Sequence, residues 1–172
     1  MIERAARHLA IRIKNADPDH TASLAVLEYA LTILINMSLI AGVTLLVGWW
    51  TGKPAPAAEA LLDFALLRLF SGGFHFRSSA ACSAATILLC AAIPFLAPWA
   101  EVHPAAIHLL CLILLLLFAP RLDHRTAMPK TFYPLLKCLS LAVVAANFFF
   151  QSPVAELAFL AQCLTILPLG RR

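Results

Sequence analysis

Between Arg68 and Cys82 the chain reads R-L-F-S-G-G-F-H-F-R-S-S-A-A-C, which brings a thiol, an imidazole, two guanidinium groups and a glycine pair into one short stretch. A cysteine reacts as its thiolate, and a helix N-terminus, an imidazolium or a nearby cation each favours that form. All three are on offer. Ser78 or Ser79 can cap a helix whose first turn holds Cys82, where unpaired N–H groups and the positive end of the helix dipole lie. Arg68, His75 and Arg77 supply the positive partners. The chemistry open to such a set is nucleophilic attack on an acyl carbon, with Cys82 as nucleophile and His75 as base.

Spacing limits how the pair can meet. His75 and Cys82 are seven residues apart; on one continuous helix they share a face but stand about 10 Å apart along the axis, too far for a hydrogen bond. The chain before Ser78 must therefore leave the helix, and Gly72-Gly73 supplies a permissive backbone for that reversal. Backbone N–H groups around Gly72-Gly73, or at the start of the following helix, are candidate oxyanion donors. Each residue also has a plainer reading: the glycines as a simple turn, His75 as an interfacial histidine, Cys82 as one more buried thiol. Asp63 is the carboxylate best placed to orient His75 or pair with Arg68, although a five-residue offset is a poor helical pairing; it reads equally as a charge facing a wet cleft.

The elements that must hold these groups are set by composition. The 172 residues are 62% hydrophobic and only 13% charged, with a mean hydropathy of +0.86, which excludes an ordinary soluble domain. Apolar runs of this length belong in a bilayer, where helices satisfy the backbone internally. The expected fold is one all-α polytopic membrane domain over residues 1–172, with six hydrophobic helices near 31–50, 56–71, 81–99, 104–119, 134–150 and 154–169. The first has room to begin as early as Thr21, an acceptable N-cap after Pro18 and Asp19; Glu28 and Tyr29 then lie in its opening turns. Prolines 54, 56, 104, 134 and 153 fall near helix starts, where a missing N–H costs little.

Residues 1–20 lack the apolar core and cleavage site of a signal peptide. Ile2, Ala6, Leu9 and Ile13 share one helical face while Arg4, Arg7, Arg12 and Lys14 spread over the rest, the pattern of a basic helix lying in the membrane interface; the alternative is a solvated charged tail. With six spans and the N-terminus inside, twelve of the thirteen Lys and Arg residues face the cytoplasm and only Lys53 lies outside, as the positive-inside rule favours. If segment 56–71 does not cross, the split becomes four against nine. Both termini and the Arg68–Cys82 stretch are thus expected at the cytoplasmic face of a cell membrane. The five cysteines contain no C-x-x-C pair, so neither a disulfide framework nor a metal site is suggested, and Cys90, Cys111 and Cys163 read as small packed hydrophobes.

The arrangement Arg68-x3-Gly72-Gly73-x-His75-x6-Cys82 resembles the signature of the accessory gene regulator B (AgrB) family, membrane cysteine endopeptidases of quorum sensing. Glu28-Tyr29, Phe118-Ala119-Pro120 followed by Pro129-Lys130, and Gln162 with Thr165 and Pro168 also look like family features in family order, so the resemblance covers about residues 20–170. It implies an enzyme that cuts a short AgrD-type precursor through an acyl-enzyme thioester and lets it close to a thiolactone or lactone. Cys82 is then the nucleophile and His75 the base, with Arg68, Gly72, Gly73, Asp63 and Glu28 in support. No metal or organic cofactor is required, and the expected partners are the precursor peptide and membrane lipid, with a homodimer compatible with the resemblance and no nucleic acid. Arg121, Arg125, Lys130 and Lys137 form a basic segment that can attract an acidic precursor, although cytoplasmic loops are basic for reasons of topology alone. The competing readings are a non-catalytic permease or export subunit, with Asp63, Arg68 and His75 lining a polar path, and an assembly scaffold.

Overall fold

Proline placement and apolar run length cut the chain where expected. The computed structural model describes residues 2–74, 78–121 and 129–168, and seven α-helices carry them: α1 (Ile2–Ala16), α2 (Leu24–Trp50), α3 (Pro54–Ser71), α4 (Ser79–Ala100), α5 (Pro104–Phe118), α6 (Tyr133–Phe150, led in by a 3-10 turn, Lys130–Phe132) and α7 (Pro153–Thr165). Pro54, Pro104 and Pro153 each open a helix, and Pro134 sits in the first turn of α6. The chain is all-helical, with the architecture of a polytopic membrane protein. By length and composition α2, α4 and α6 can cross a bilayer, and α5 and α7 are shorter apolar helices.

Two boundaries differ from expectation. The first long helix starts at Leu24, seven residues ahead of the expected 31 and close to the earliest start allowed, Thr21; it begins no sooner because the Thr21 hydroxyl donates to the Asp17 carbonyl and Lys14 Nζ donates to the carbonyls of Pro18 and Thr21. These bonds close a turn that ends α1. In the same turn His20 bonds the Asp17 carboxylate through its ring and its backbone N–H, which holds that carboxyl below its usual range. The last helix stops at Thr165, short of 169, since the residue before a proline is steered out of the α region and Pro168 follows closely.

α7 lies at the centre. Its Val154, Ala155, Ala158, Phe159, Gln162 and Cys163 are all buried, packed on one side with Leu67, Cys111, Leu115 and Val144 and on the other with Ala60, Phe64, Cys90 and Ile93. Cys90, Cys111 and Cys163 are fully buried small residues of this packing. By contrast α2 buries only Thr44 and Gly48 and presents Leu34, Met37 and Leu46 outward, the surface of a helix solvated by lipid. Gly48 allows α2 to approach α3, since a Cβ there would stand 2.6 Å from Ala57 Cβ. On α1 the buried residues are Ala6 and Ala10, one turn apart, while Leu9 and Ile13 are exposed. The arm therefore lies on α2 by its small residues and keeps its larger apolar ones outward.

Pro98 has no N–H to give the carbonyl of Pro94 within α4. Lys53 Nζ donates to that carbonyl at 2.9 Å and lies 4.8 Å from the centre of the Phe95 ring. One cation thus fills the gap left by a proline inside a helix.

A candidate thiol site at four helix ends

The site is built where α3, α5 and α7 finish and α4 begins. Gly72 stops α3: its φ of 68° is left-handed, and its N–H returns to the Arg68 carbonyl at 3.0 Å. The chain then runs extended beside the segment that follows α5. Gly73 N–H donates to the Arg121 carbonyl at 2.9 Å, Arg121 N–H to the Ser71 carbonyl at 2.8 Å, and Phe74 N–H to the Thr165 carbonyl at 2.9 Å. A short parallel bridge between Gly72 and Arg121 results. Gly73, at φ 141°, is pressed against α7, where a Cβ would collide with Thr165 Oγ1 and lie 3.3 Å from Gln162 Nε2.

Gln162 organises this junction. Its side chain is fully buried; the amide nitrogen donates to Ser71 Oγ at 3.0 Å and to the Gly72 carbonyl at 2.5 Å, and the amide oxygen accepts from Arg68 at 3.3 Å. Arg68 also donates to the Phe74 carbonyl at 2.8 Å and has its guanidinium carbon 5.9 Å from the centre of the Phe64 ring. The cation is therefore held over the glycine turn.

Cys82 is half-buried in the first turn of α4. Ser78 is the N-cap, its hydroxyl accepting from Ala81 N–H, and Cys82 N–H donates to the Ser78 carbonyl at 3.1 Å. The thiol lies within electrostatic reach of the Arg68 guanidinium. Ser79 donates to the Glu3 carboxylate at 3.2 Å, so α1 reaches the rim of this site.

The structure distributes the expected residues unevenly. Arg68, Gly72 and Gly73 come together around Gln162, and Cys82 stands in the first turn of the helix that follows. His75 and Arg125 lie outside the described residues. Asp63 stands on α3 near Glu59, and among the described residues no ion pair joins it to Arg68, whose bonds include those to Gln162 and Phe74. Glu28 is half-buried in the second turn of α2, where its carbonyl accepts from Thr32. Lys130 is exposed and Lys137 half-buried. Arg121, expected to attract substrate, is committed instead to the end of α7, donating to the carbonyls of Ile166 and Leu167; unpaired carbonyls at a helix end draw such a cation. The amides at Gly72, Gly73 and Phe74 are likewise taken up by carbonyls. Of the two sets of amides expected as candidate oxyanion donors, the glycine set is thus occupied, and the set at the start of α4 remains the candidate.

A model of the family "Accessory gene regulator B" matches residues 3–167. The chain belongs to the AgrB family. A protein of Halalkalibacterium halodurans described as AgrB-like is 30% identical over 93 residues, which takes in 54% of this chain and 47% of that relative. The matched stretch thus spans about half of the relative's length. No solved structure gives a significant match. Membership in the AgrB family ties the chain to the accessory gene regulator system, and it gives the flanking features a physical setting: Ala119-Pro120 leads into the strand-like contact with Gly72-Gly73, while Gln162 and Thr165 form the surface that the glycines press against.

Sequence reasoning gave Gln162 no role. A signal existed, because a neutral amide in an otherwise apolar span needs partners inside the protein. A second buried polar group, at the opposite end of the bundle, was missed as well. Glu156 of α7 receives His108 at 2.9 Å and Asn147 at 3.0 Å; Asn147 also bonds both backbone groups of Ser152, whose hydroxyl donates to Glu59. This network joins α3, α5, α6 and α7 around the tight turn at Gln151.

Proposed function

We propose that the protein is a membrane cysteine endopeptidase that cleaves an AgrD-type precursor peptide through a thioester on Cys82. The observation that carries this reading is Cys82 in the capped first turn of α4, within electrostatic reach of an Arg68 that is bonded across the glycine turn. His75 matches the base position of the family motif. It takes the thiol proton, Cys82 Sγ bonds to the scissile carbonyl carbon, and first-turn amides of α4 stabilise the oxyanion. Collapse of the tetrahedral adduct breaks the peptide bond, and the imidazolium protonates the departing amine. A thiol or hydroxyl of the precursor then attacks the thioester, releasing Cys82 and closing a thiolactone or lactone; water in its place yields a linear acid. Exclusion of water at the membrane edge favours the ring.

In this reading six helices, α2 to α7, cross the cell membrane, both termini are cytoplasmic and the thiol site opens to the cytoplasm. The charge bias supports that orientation, and the tryptophans support the crossing of α2 and α4. Twelve of thirteen Lys and Arg residues fall on the thiol side. Exposed Trp49, Trp50 and Trp99 lie at the opposite ends of α2 and α4, where an interfacial aromatic belt belongs. Lys130 and Lys137, with Arg125, remain to attract an acidic precursor segment.

The test uses the full chain in lipid vesicles with a synthetic precursor of the peptide encoded beside it. Wild type should release the C-terminal fragment, and mass spectrometry should find either a ring or a thioester on Cys82. Cys82→Ala should abolish both products, and His75→Ala nearly so. Processing by Cys82→Ala at the wild-type rate would overturn the assignment.

A further inference from the structure

We propose that α1 is a strap on the thiol site: its Glu3 carboxylate occupies the start of α4 beside Cys82, and contact of its basic face with anionic lipid headgroups withdraws it. This regulation rests on the reading of Cys82 as the reacting group. Glu3 accepts from the Ser79 hydroxyl at 3.2 Å. Ser79 is the first residue of α4 and Cys82 stands three positions on, a spacing that puts two side chains on one helical face with their Cβ atoms about 5–6 Å apart. Both are half-buried, while Ala80 and Ala81 between them are exposed. The chain's own carboxylate is thus held where a helix start would receive an anion, and it opposes the negative charge that develops on the sulfur and on the oxyanion.

The same turn of α4 shows how α1 comes to be there. Ser83 donates to Asn36 of α2 at 3.1 Å, so Asn36 is level with the first turn of α4. Twelve residues separate it from the start of α2 at Leu24, about 18 Å of helix at ~1.5 Å per residue. α2 therefore runs on past the thiol site, and α1 packs back along it, from the turn closed by Lys14 and Thr21 to Glu3 at Ser79.

Little holds the strap down. Only Ala6 and Ala10 are buried, and the bond between Glu3 and Ser79 is exposed. Arg4, Arg7 and Arg12 are exposed, and among the described residues no ion pair engages them; Leu9, Ile11 and Ile13 are exposed as well. Cations interspersed with outward apolar side chains fit a negatively charged membrane surface, which the proposed topology puts at the level of the thiol. Arg4 adjoins Glu3 in sequence, so drawing it to a lipid phosphate moves the carboxylate off Ser79.

The readout is the rate at which neutral iodoacetamide alkylates Cys82, followed by peptide mapping of the full-length protein in vesicles of phosphatidylcholine, alone or mixed with phosphatidylglycerol. In phosphatidylcholine, Glu3→Gln keeps the length and an acceptor for Ser79 but drops the charge; it should raise the rate about two- to fivefold, the scale of a screened interaction between exposed charges. Phosphatidylglycerol should raise the wild-type rate by a similar factor and add little to Glu3→Gln. Its effect should vanish when Arg4→Gln, Arg7→Gln and Arg12→Gln are combined. A negative surface acting on the thiol directly slows alkylation, so the expected rise has the opposite sign to a general surface effect. A wild-type rate for Glu3→Gln in phosphatidylcholine would overturn the strap. An unchanged or lower wild-type rate with phosphatidylglycerol, or an equal rise in the triple variant, would overturn its release by anionic lipid. No precursor is needed: if Cys82 is not the nucleophile, cleavage survives Cys82→Ala while these rates still respond.

Discussion

Gly73→Ala is the sharpest single perturbation of the site, because two costs fall on one methyl group. The backbone at φ 141° is a conformation that L side chains rarely adopt, which costs about 1–3 kcal/mol. The new Cβ also meets Thr165 Oγ1, whose hydroxyl is anchored on the Gln162 carbonyl at 2.8 Å; moving it away sacrifices a bond of about 0.5–1.5 kcal/mol. Together these give about 2–4 kcal/mol, to be met by loss of stability or by displacement of the turn. If the turn moves and carries Arg68 with it, even ~2 kcal/mol in the transition state is a roughly 30-fold loss of rate. Equilibrium unfolding in mixed micelles reads the first outcome, and precursor cleavage in vesicles the second. Thr165→Ala removes the obstructing hydroxyl and keeps the backbone bond to Phe74, so the double variant should be less impaired than the sum of the single changes by about 1–2 kcal/mol. Wild-type behaviour of Gly73→Ala in both assays, or strict additivity with Thr165→Ala, would refute the close packing of the turn on α7.

Two further outcomes test the bundle itself. Truncating either member of the buried Glu156–His108 pair, as Glu156→Ala or His108→Ala, should cost about 3–5 kcal/mol of stability because its partner is left buried; replacing both with leucine should cost less than either truncation in the same unfolding assay. Gly48→Ala should destabilise by about 1–3 kcal/mol through collision with Ala57 and the Lys53 carbonyl, and Ala57→Gly should restore part of that, read as a shift of the unfolding midpoint.

The helices were legible because prolines and apolar run lengths are local signals: Pro54, Pro104 and Pro153 mark starts that no tertiary contact had to decide. The helix cap that places Cys82 was legible for the same reason, as Ser78 lies four residues before it. What escaped was long-range. Nothing near Gln162 in sequence says that its amide will meet Arg68, 94 residues away, nor that the Arg121 side chain will be drawn to the carbonyls ending α7. The expectation that the glycines would offer free amides to a substrate failed likewise, since it treated them as a loop in isolation. The residues after α5 and at the end of α7 bring carbonyls to the same place and use those amides up.

The tryptophans at the ends of α2 and α4 also have a bearing on distance. Seventeen residues separate Cys82 from Trp99, about 25 Å of helix at ~1.5 Å per residue, against a hydrocarbon layer about 30 Å thick. With Trp99 anchored among the outer headgroups, α4 becomes a ruler that leaves the thiol just inside the opposite boundary. A thicker bilayer draws Cys82 deeper and keeps its acyl adduct dry; a thinner one lifts it into water. If the proposed function and topology both hold, bilayer thickness therefore sets how the thioester partitions between ring closure and hydrolysis.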